Sequence, residues 1–160
     1  MSSSPLLLVR PAELSDAAAV AALHRPEAAP TPRQVAFWRE AIEFGEPLIH
    51  VADKGGQLVG FVGFDRSRDP KTKPTVGEVW ALHVLPDEQG QGVGLALWDA
   101  AREGLEEEGC TVVTAWVQLR EERALRFFEL AGFKREMTTL RTALVGVERL
   151  EEIRLKRNVV

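Results

Sequence analysis

The sequence predicts a mixed α/β sandwich, and three observations carry that expectation. Between Trp80 and Trp98 an apolar, β-prone run leads into a polar loop with glycines at alternate positions, then into a segment of helical spacing. The chain after it repeats the alternation of strand and helix, while the middle is built of apolar runs divided by turn residues. Strands interleaved with helices around a β-rich centre must bury their apolar faces against one another, which makes a sheet covered by helices. The 160 residues suit a single domain with one sizeable core, residues 1–160, with no repeat, low-complexity tract or linker.

The elements follow in order. Leu6 to Val9 reads as a first strand, ended by Pro11, which offers no backbone donor. Leu14 to His24 is alanine-rich, with Leu14, Ala18, Ala21 and Leu23 at helical spacing. A loop with two prolines, HRPEAAP, precedes a strong helix start at Thr31-Pro32-Arg33-Gln34. There Thr31 can cap, Pro32 fits the first helical position and Gln34 can close a capping box. Val35, Trp38 and Ile42 form the buried side of that helix, and Gly45 ends it.

Leu48 to Ala52 and Leu58 to Phe64 read as strands joined by Asp53-Lys54-Gly55-Gly56, where the glycines supply the positive φ of a tight hairpin. RSRDPKTKP is a polar loop, and Val76 to Leu85 is a longer strand. Cys110 to Val117 is an interior strand. Glu121 to Ala131 is a helix with Ala124, Phe127, Phe128 and Ala131 on one side and Gly132 just past its end. Phe133 to Leu140 returns to the sheet. In Leu150 to Arg157, good helix formers compete with an alternation of Ile153 and Leu155 with charges, and local pattern leaves helix and strand even.

The chemistry gathers at Gln89-Gly90-Gln91-Gly92-Val93-Gly94-Leu95. A glycine loop that opens a helix turns several backbone N–H groups toward one point, and the first helical turn adds partial positive charge. Such a place holds phosphate, because glycines remove the Cβ atoms that would block its approach. The dinucleotide fingerprint fails on spacing, since Leu95 stands where its third glycine belongs. The nucleoside-triphosphate loop fails because no lysine lies here. What remains is QxxGxG, formed by Gln89, Gly92 and Gly94. Leu97, Ala101 and Leu105, joined by Trp98, make the apolar side of the helix that follows.

Composition weighs on the other classes. A net charge of −4 argues against nucleic acid and mildly favours an amine substrate. A single cysteine, Cys110, rules out an internal disulfide framework, and it reads as a small buried hydrophobe. The start MSSSPLLLVRP resembles neither a signal peptide nor a membrane span, so a cytoplasmic protein is expected. His24 and His50 are isolated, and no His, Cys or Asp spacing suggests a metal.

The stretch WALHVLPDEQGQGVGLALW resembles the acyl-CoA pyrophosphate loop of the GNAT superfamily of N-acetyltransferases, and ERALRFFELAGF resembles the later motif of a helix ending in Gly-Phe. The resemblance runs from Leu8 to about Arg157. It implies the acyl-CoA N-acyltransferase fold, a single domain with a mixed, mostly antiparallel sheet flanked by helices, and a strand hairpin at the C-terminal end. It also implies that acetyl-CoA is the co-substrate, that the loop from Gln89 to Leu95 holds its pyrophosphate, and that its pantetheine arm inserts where the strand of Leu82, His83 and Val84 splays from the strand around Thr114 to Val117. Backbone groups of Leu82 and Val84 would bind the acyl oxygen and the pantetheine amides. Dimers are common in the family, so a homodimer is one expectation.

Two positions depart from the pattern. Glu121 stands where the family has a cofactor-contacting Asn, and Phe128 stands where it often has a Tyr as general acid. The chain contains no Tyr at all. Water protonates the leaving thiolate, or it leaves unprotonated, or another residue serves.

An amine nucleophile must lose a proton, since its pKa is about 10, and a base assists. Glu78 is the candidate base, on the same side of its strand as Trp80, Leu82 and Val84; the alternative is a solvated glutamate. His83 points the other way in a regular strand and reads as a packed core histidine unless a bulge re-aims it. Three functions are consistent with the residues: acetylation of a small-molecule amine, acetylation of a protein N-terminus or lysine, and a non-catalytic CoA-binding domain. The acceptor pocket would be walled by the first two helices and the loop from Arg66 to Thr75.

Overall fold

Seven strands and four α-helices form among residues 5–159, which the computed structural model describes. In chain order they are β1 (Leu7–Pro11), α1 (Ala17–His24), α2 (Pro32–Phe44), β2 (Leu48–Lys54), β3 (Gln57–Arg66) and β4 (Val76–Val84), then α3 (Val93–Glu107), β5 (Val112–Gln118), α4 (Glu122–Leu130), β6 (Lys134–Val145) and β7 (Glu148–Asn158). The strand order is β1-β2-β3-β4-β5-β7-β6. β4 and β5 run parallel, whereas β1–β2, β2–β3, β5–β7 and β6–β7 are antiparallel, so the sheet is mixed and mostly antiparallel. The chain packs as two compact units, residues 5–65 with Trp80–Gly104, and Arg66–Val79 with residues 105–159.

In the first unit, β1 differs from expectation by running through Pro11, which pairs with His50. An edge strand tolerates a missing donor, and the next residue resumes bonding, Ala12 N–H to Ile49 O at 2.9 Å. The segment from Leu14 begins as a 3-10 turn, Leu14–Asp16, before α1. Asp16 draws it tight by accepting the Glu13 N–H at 2.7 Å and an Arg10 guanidinium at 2.8 Å. α2 starts as its sequence predicts, with Thr31 Oγ1 accepting from Gln34 N–H and Gln34 Oε1 from Thr31 N–H, and it ends at Gly45 with φ +66°. Val20, Ala21 and Leu23 of α1 and Trp38 and Ala41 of α2 bury against Ile49, Val51 and Phe61 of the strands. On the other face of β3, α3 comes in close. A Cβ on Gly60 would lie 3.0 Å from Leu97, and one on Gly104 would lie 2.7 Å from the Phe64 ring. Only glycine allows that separation.

In the second unit, β4 pairs with β5 through Val76↔Val112, Gly77↔Val113 and Glu78↔Thr114. Gly77 faces Leu105 and Cys110, with no room for a side chain. The C-terminal segment is strand, paired with β5 from Val112↔Asn158 to Gln118↔Glu152. Ile153 and Leu155 are buried while Arg154 between them turns to the opposite face and pairs with Asp69 and Glu136, so period two prevails over helix propensity. In α4 the buried line falls on Leu125 and Phe128, with Phe127 and Ala131 only half-buried. The expected side was therefore rotated by about one residue, and Leu125 is the member it missed. Phe128 packs edge-on against Phe127 and Phe133 at 5.4 and 5.1 Å.

Candidate active site

The glycine loop is braced from three directions within the first unit. Lys54 in β2 pairs with Glu88 at 3.0 Å, holding the 3-10 turn Pro86–Glu88 that follows β4. Gln89 Nε2 donates to Val84 O at 3.4 Å, and Gln91 Nε2 to Asp87 O at 3.3 Å. Gly90 and Gly92 take φ of +81° and +84°, where an L side chain is strained, and a Cβ on either would meet open space. Backbone conformation, not crowding, requires glycine at both.

α3 then begins with Val93 buried as its anchor and Leu95 outward. The first bond of the helix is Ala96 N–H to Gly92 O at 3.0 Å. The amides of Val93, Gly94 and Leu95 precede it and belong to the first-turn donors that a helix cannot satisfy itself. No acidic side chain lies in that turn to compete. An open backbone face, free donors and the positive end of a helix of 15 residues make a place for an anion.

Just before the loop, Leu82 and Val84 are half-buried. The His83 ring stacks on Phe61 at 5.3 Å and meets the His24 ring edge-on at 5.1 Å. Burial, with the neighbouring His24, lowers its pKa to about 4, so it is neutral at pH 7 and behaves as the core histidine its alternation suggested. His24 is also lowered by burial and packs on Trp38 at 5.2 Å. An open cavity of about 300 Å³ lies beside this cluster, lined by His24, Arg25, Arg33, Gln34, Phe37 and Trp38. No local pattern announced that His24 of α1 and His83 of β4 would touch. His50, the third histidine, stacks on Phe64 at 5.3 Å, with a buried Nδ1 that has no hydrogen-bond partner among the described residues.

In the second unit, Glu78 is half-buried and accepts from Ser67 Oγ at 3.4 Å. Burial, then the charge of Asp69, raises its pKa above the usual carboxylate value; the Arg68 N–H and Ser67 pull the other way. Asp69 accepts from Trp116 Nε1 at 3.0 Å and from Arg154 Nη1 at 3.1 Å, and Arg154 also pairs with Glu136 at 2.9 Å. The polar loop after β3 thus supplies Ser67 and Asp69, whose hydrogen bond and charge act on Glu78 beside the larger effect of burial. Across the register from Glu78, Thr114 is buried and donates to Gly77 O at 3.2 Å.

Two further predicted positions lie at α4. Glu121 is exposed ahead of α4 and its side chain makes no cap, while its backbone accepts from Leu125 N–H at 3.0 Å. Phe128 is a buried ring with no hydroxyl. Among the described residues, no group of three His, Cys, Asp or Glu could hold a metal ion, and no helix is long and apolar enough to cross a membrane.

The family described as acetyltransferase (GNAT) matches residues 17–133. A mycothiol acetyltransferase from Propionibacterium freudenreichii subsp. shermanii is 35% identical over 113 residues, 69% of this chain and 36% of that protein, so the chain spans about a third of that curated relative's length. Among solved structures, an N-acetyltransferase from Staphylococcus aureus Mu50 superposes with a TM-score of 0.81 at 16% identity, covering 97% of this chain and 99% of the other. The Salmonella typhimurium protein yncA, solved with its cofactor acetyl-CoA, gives 0.77 at 17% identity, over 96% and 94% of the two chains.

Proposed function

Because the chain belongs to the acetyltransferase (GNAT) family, we propose that it transfers the acetyl group of acetyl-CoA to the primary amine of a small molecule by direct attack in a ternary complex. The observation that carries this reading is the open backbone face from Gln89 to Leu95 at the start of α3, with Gly90 and Gly92 at positive φ and three first-turn amides unclaimed by the helix. Relatives named mycothiol acetyltransferase favour a small acceptor.

These residues suit the co-substrate. Gln89, Gly90, Gln91, Gly92, Val93, Gly94 and Leu95 would receive the diphosphate on their amides. Leu82 and Val84 would offer backbone groups to the acyl oxygen and the pantetheine amides, with His83 contributing only main chain because its ring is occupied in the aromatic cluster. Acetyl-CoA supplies an activated thioester, whose carbonyl carbon the amine attacks. As the C–N bond forms, the nitrogen's proton passes to Glu78, directly or through water, and a backbone N–H steadies the oxyanion. The C–S bond then breaks with its electron pair on sulfur. With no Tyr in the chain and Phe128 lacking a hydroxyl, no tyrosine protonates the thiolate: it takes a proton from water or from another residue, or leaves unprotonated.

Glu78 suits the base because burial, with the charge of Asp69, raises its pKa above the ordinary carboxylate value and so makes it a stronger proton acceptor than a solvated glutamate. Glu121, exposed and uncapping, would touch the cofactor only at its rim.

Two measurements test the reading. Calorimetry with CoA should give saturable binding, and its absence at millimolar CoA in folded protein would end the proposal. Thiol release from acetyl-CoA with a panel of polyamines, amino acids, aminoglycosides and short peptides then separates an enzyme from a non-catalytic binder, and a small amine from a peptide acceptor.

A further inference from the structure

We infer that the cavity between α1 and α2 selects an acceptor amine that carries a carboxylate on an apolar spacer. The inference rests on the acetyltransferase reading above and names the substrate class of that enzyme. Its wall is built of donors. Arg25 and Arg33 both line it, and neither guanidinium has an ion-pair or hydrogen-bond partner among the described residues. Arg10 and Arg154, by contrast, are each held by two carboxylates. The Gln34 Oε1 is taken by the Thr31 N–H, which leaves its NH₂ group for a ligand. No carboxylate lines the cavity, although the chain carries a net charge of −4. A wall of planar forks without a counter-charge fits a carboxylate.

The apolar half of the ligand has its own surface. Phe37 is 60% exposed and stands edge-on to Trp38 at 5.1 Å, so a large ring is left open beside the two guanidiniums. A volume of about 300 Å³ holds a small molecule rather than a folded partner. His24 links the cavity to the proposed thioester strand, since its ring lines the one and touches His83 of the other. An acceptor anchored through its carboxylate at Arg25 and Arg33 keeps its amine as the free end.

The experiment has a kinetic and a binding arm. With acetyl-CoA saturating, 4-(aminomethyl)benzoate is compared with benzylamine, and 6-aminohexanoate with hexylamine. At least one carboxylated member should be used with kcat/KM ten-fold or more above its uncharged partner. Arg25→Gln with Arg33→Gln should erase that preference through KM of the carboxylated amine, leaving KM for acetyl-CoA unchanged. Arg39→Gln, on α2 but outside the cavity wall, should change nothing. Equal use of both members, or a preference that survives the double variant, overturns the inference while leaving the acetyltransferase reading intact.

In the binding arm, ligand-observed NMR with 3-phenylpropanoate and 3-phenylpropan-1-ol needs no turnover. The acid should bind at least ten-fold more tightly than the alcohol, and the double variant should lose that margin. Equal binding overturns the inference even in an active enzyme. A margin lost in the double variant supports the inference where CoA also binds; should CoA fail to bind, the cavity would remain a carboxylate site but its role as an acceptor pocket would be overturned.

Discussion

His24 and His83 meet edge-on at 5.1 Å between α1 and β4, each stripped of most of its water by Phe61 and Trp38 around them. Two imidazoles so placed resist protonation, because charging either one costs its desolvation, and for His83 also repulsion from His24. Unfolded histidine binds a proton below about pH 6.5, whereas folded His83 does so only near pH 4. Between those values the unfolded chain holds more protons, so stability falls as pH falls. The loss from His83 alone approaches ~3 kcal/mol at full protonation. Urea midpoints at pH 7, 6, 5 and 4 should drop steadily, and His83→Phe should flatten the slope. Asp16, held below its usual value by Arg10, loses its contribution only in a more acidic window, as pH falls below its unfolded value of 3.8.

Glu78→Gln should lower turnover by ~10² or more with little change in CoA affinity. The acidic limb of kcat/KM should lie above the ordinary carboxylate value of 4.5. Because the charge of Asp69 raises Glu78 and the Ser67 hydroxyl lowers it, Asp69→Asn should move that limb to lower pH and Ser67→Ala to higher pH. Near-normal turnover in Glu78→Gln, or limbs that stay in place in both neighbours, would remove this carboxylate from the reaction.

At Gly92, φ of +84° makes any side chain strained by ~1–2 kcal/mol. Gly92→Val should therefore weaken CoA binding at least ten-fold, with only a small fall in the denaturation midpoint. Calorimetry beside a urea titration distinguishes loss of the loop from loss of the fold. An unchanged CoA affinity would mean that the amides of this turn do not hold the diphosphate.

Gly60→Ala tests the packing that sets the strand in front of the loop. Its Cβ would stand 2.8 Å from the backbone oxygen of His83, an atom that cannot swing aside. A loss of ~1–3 kcal/mol in urea is expected. A neutral result would show that β3 and β4 can part locally without penalty.

Several features were legible because their causes are local. The Thr31–Gln34 capping box, the end of α2 at Gly45 and the Gly55–Gly56 turn each depend on residues within four positions of one another. The loop from Gln89 to Leu95 was readable for the same reason, as spacing alone decides how its amides turn. Helix burial in α4 was misjudged because adjacent residues, Ala124 and Leu125, both fit an apolar side, and only the packed partner chooses between them. Pro11 was misread because its tolerance depends on β1 being an edge, which its neighbours in sequence do not state.

Taken alone, the sequence determined most of the element order up to the last segment and marked the loop from Gln89 to Leu95 and Glu78 as candidates, because each follows from residue type at short range. Tertiary structure alone decided that His24 faces His83, that Ser67 and Asp69 flank Glu78, and that Arg25 and Arg33 share one cavity. Those contacts join residues on different elements or loops, and no local preference encodes them. They exist because burying the apolar faces of the helices against the sheet leaves the polar side chains only a few places to go.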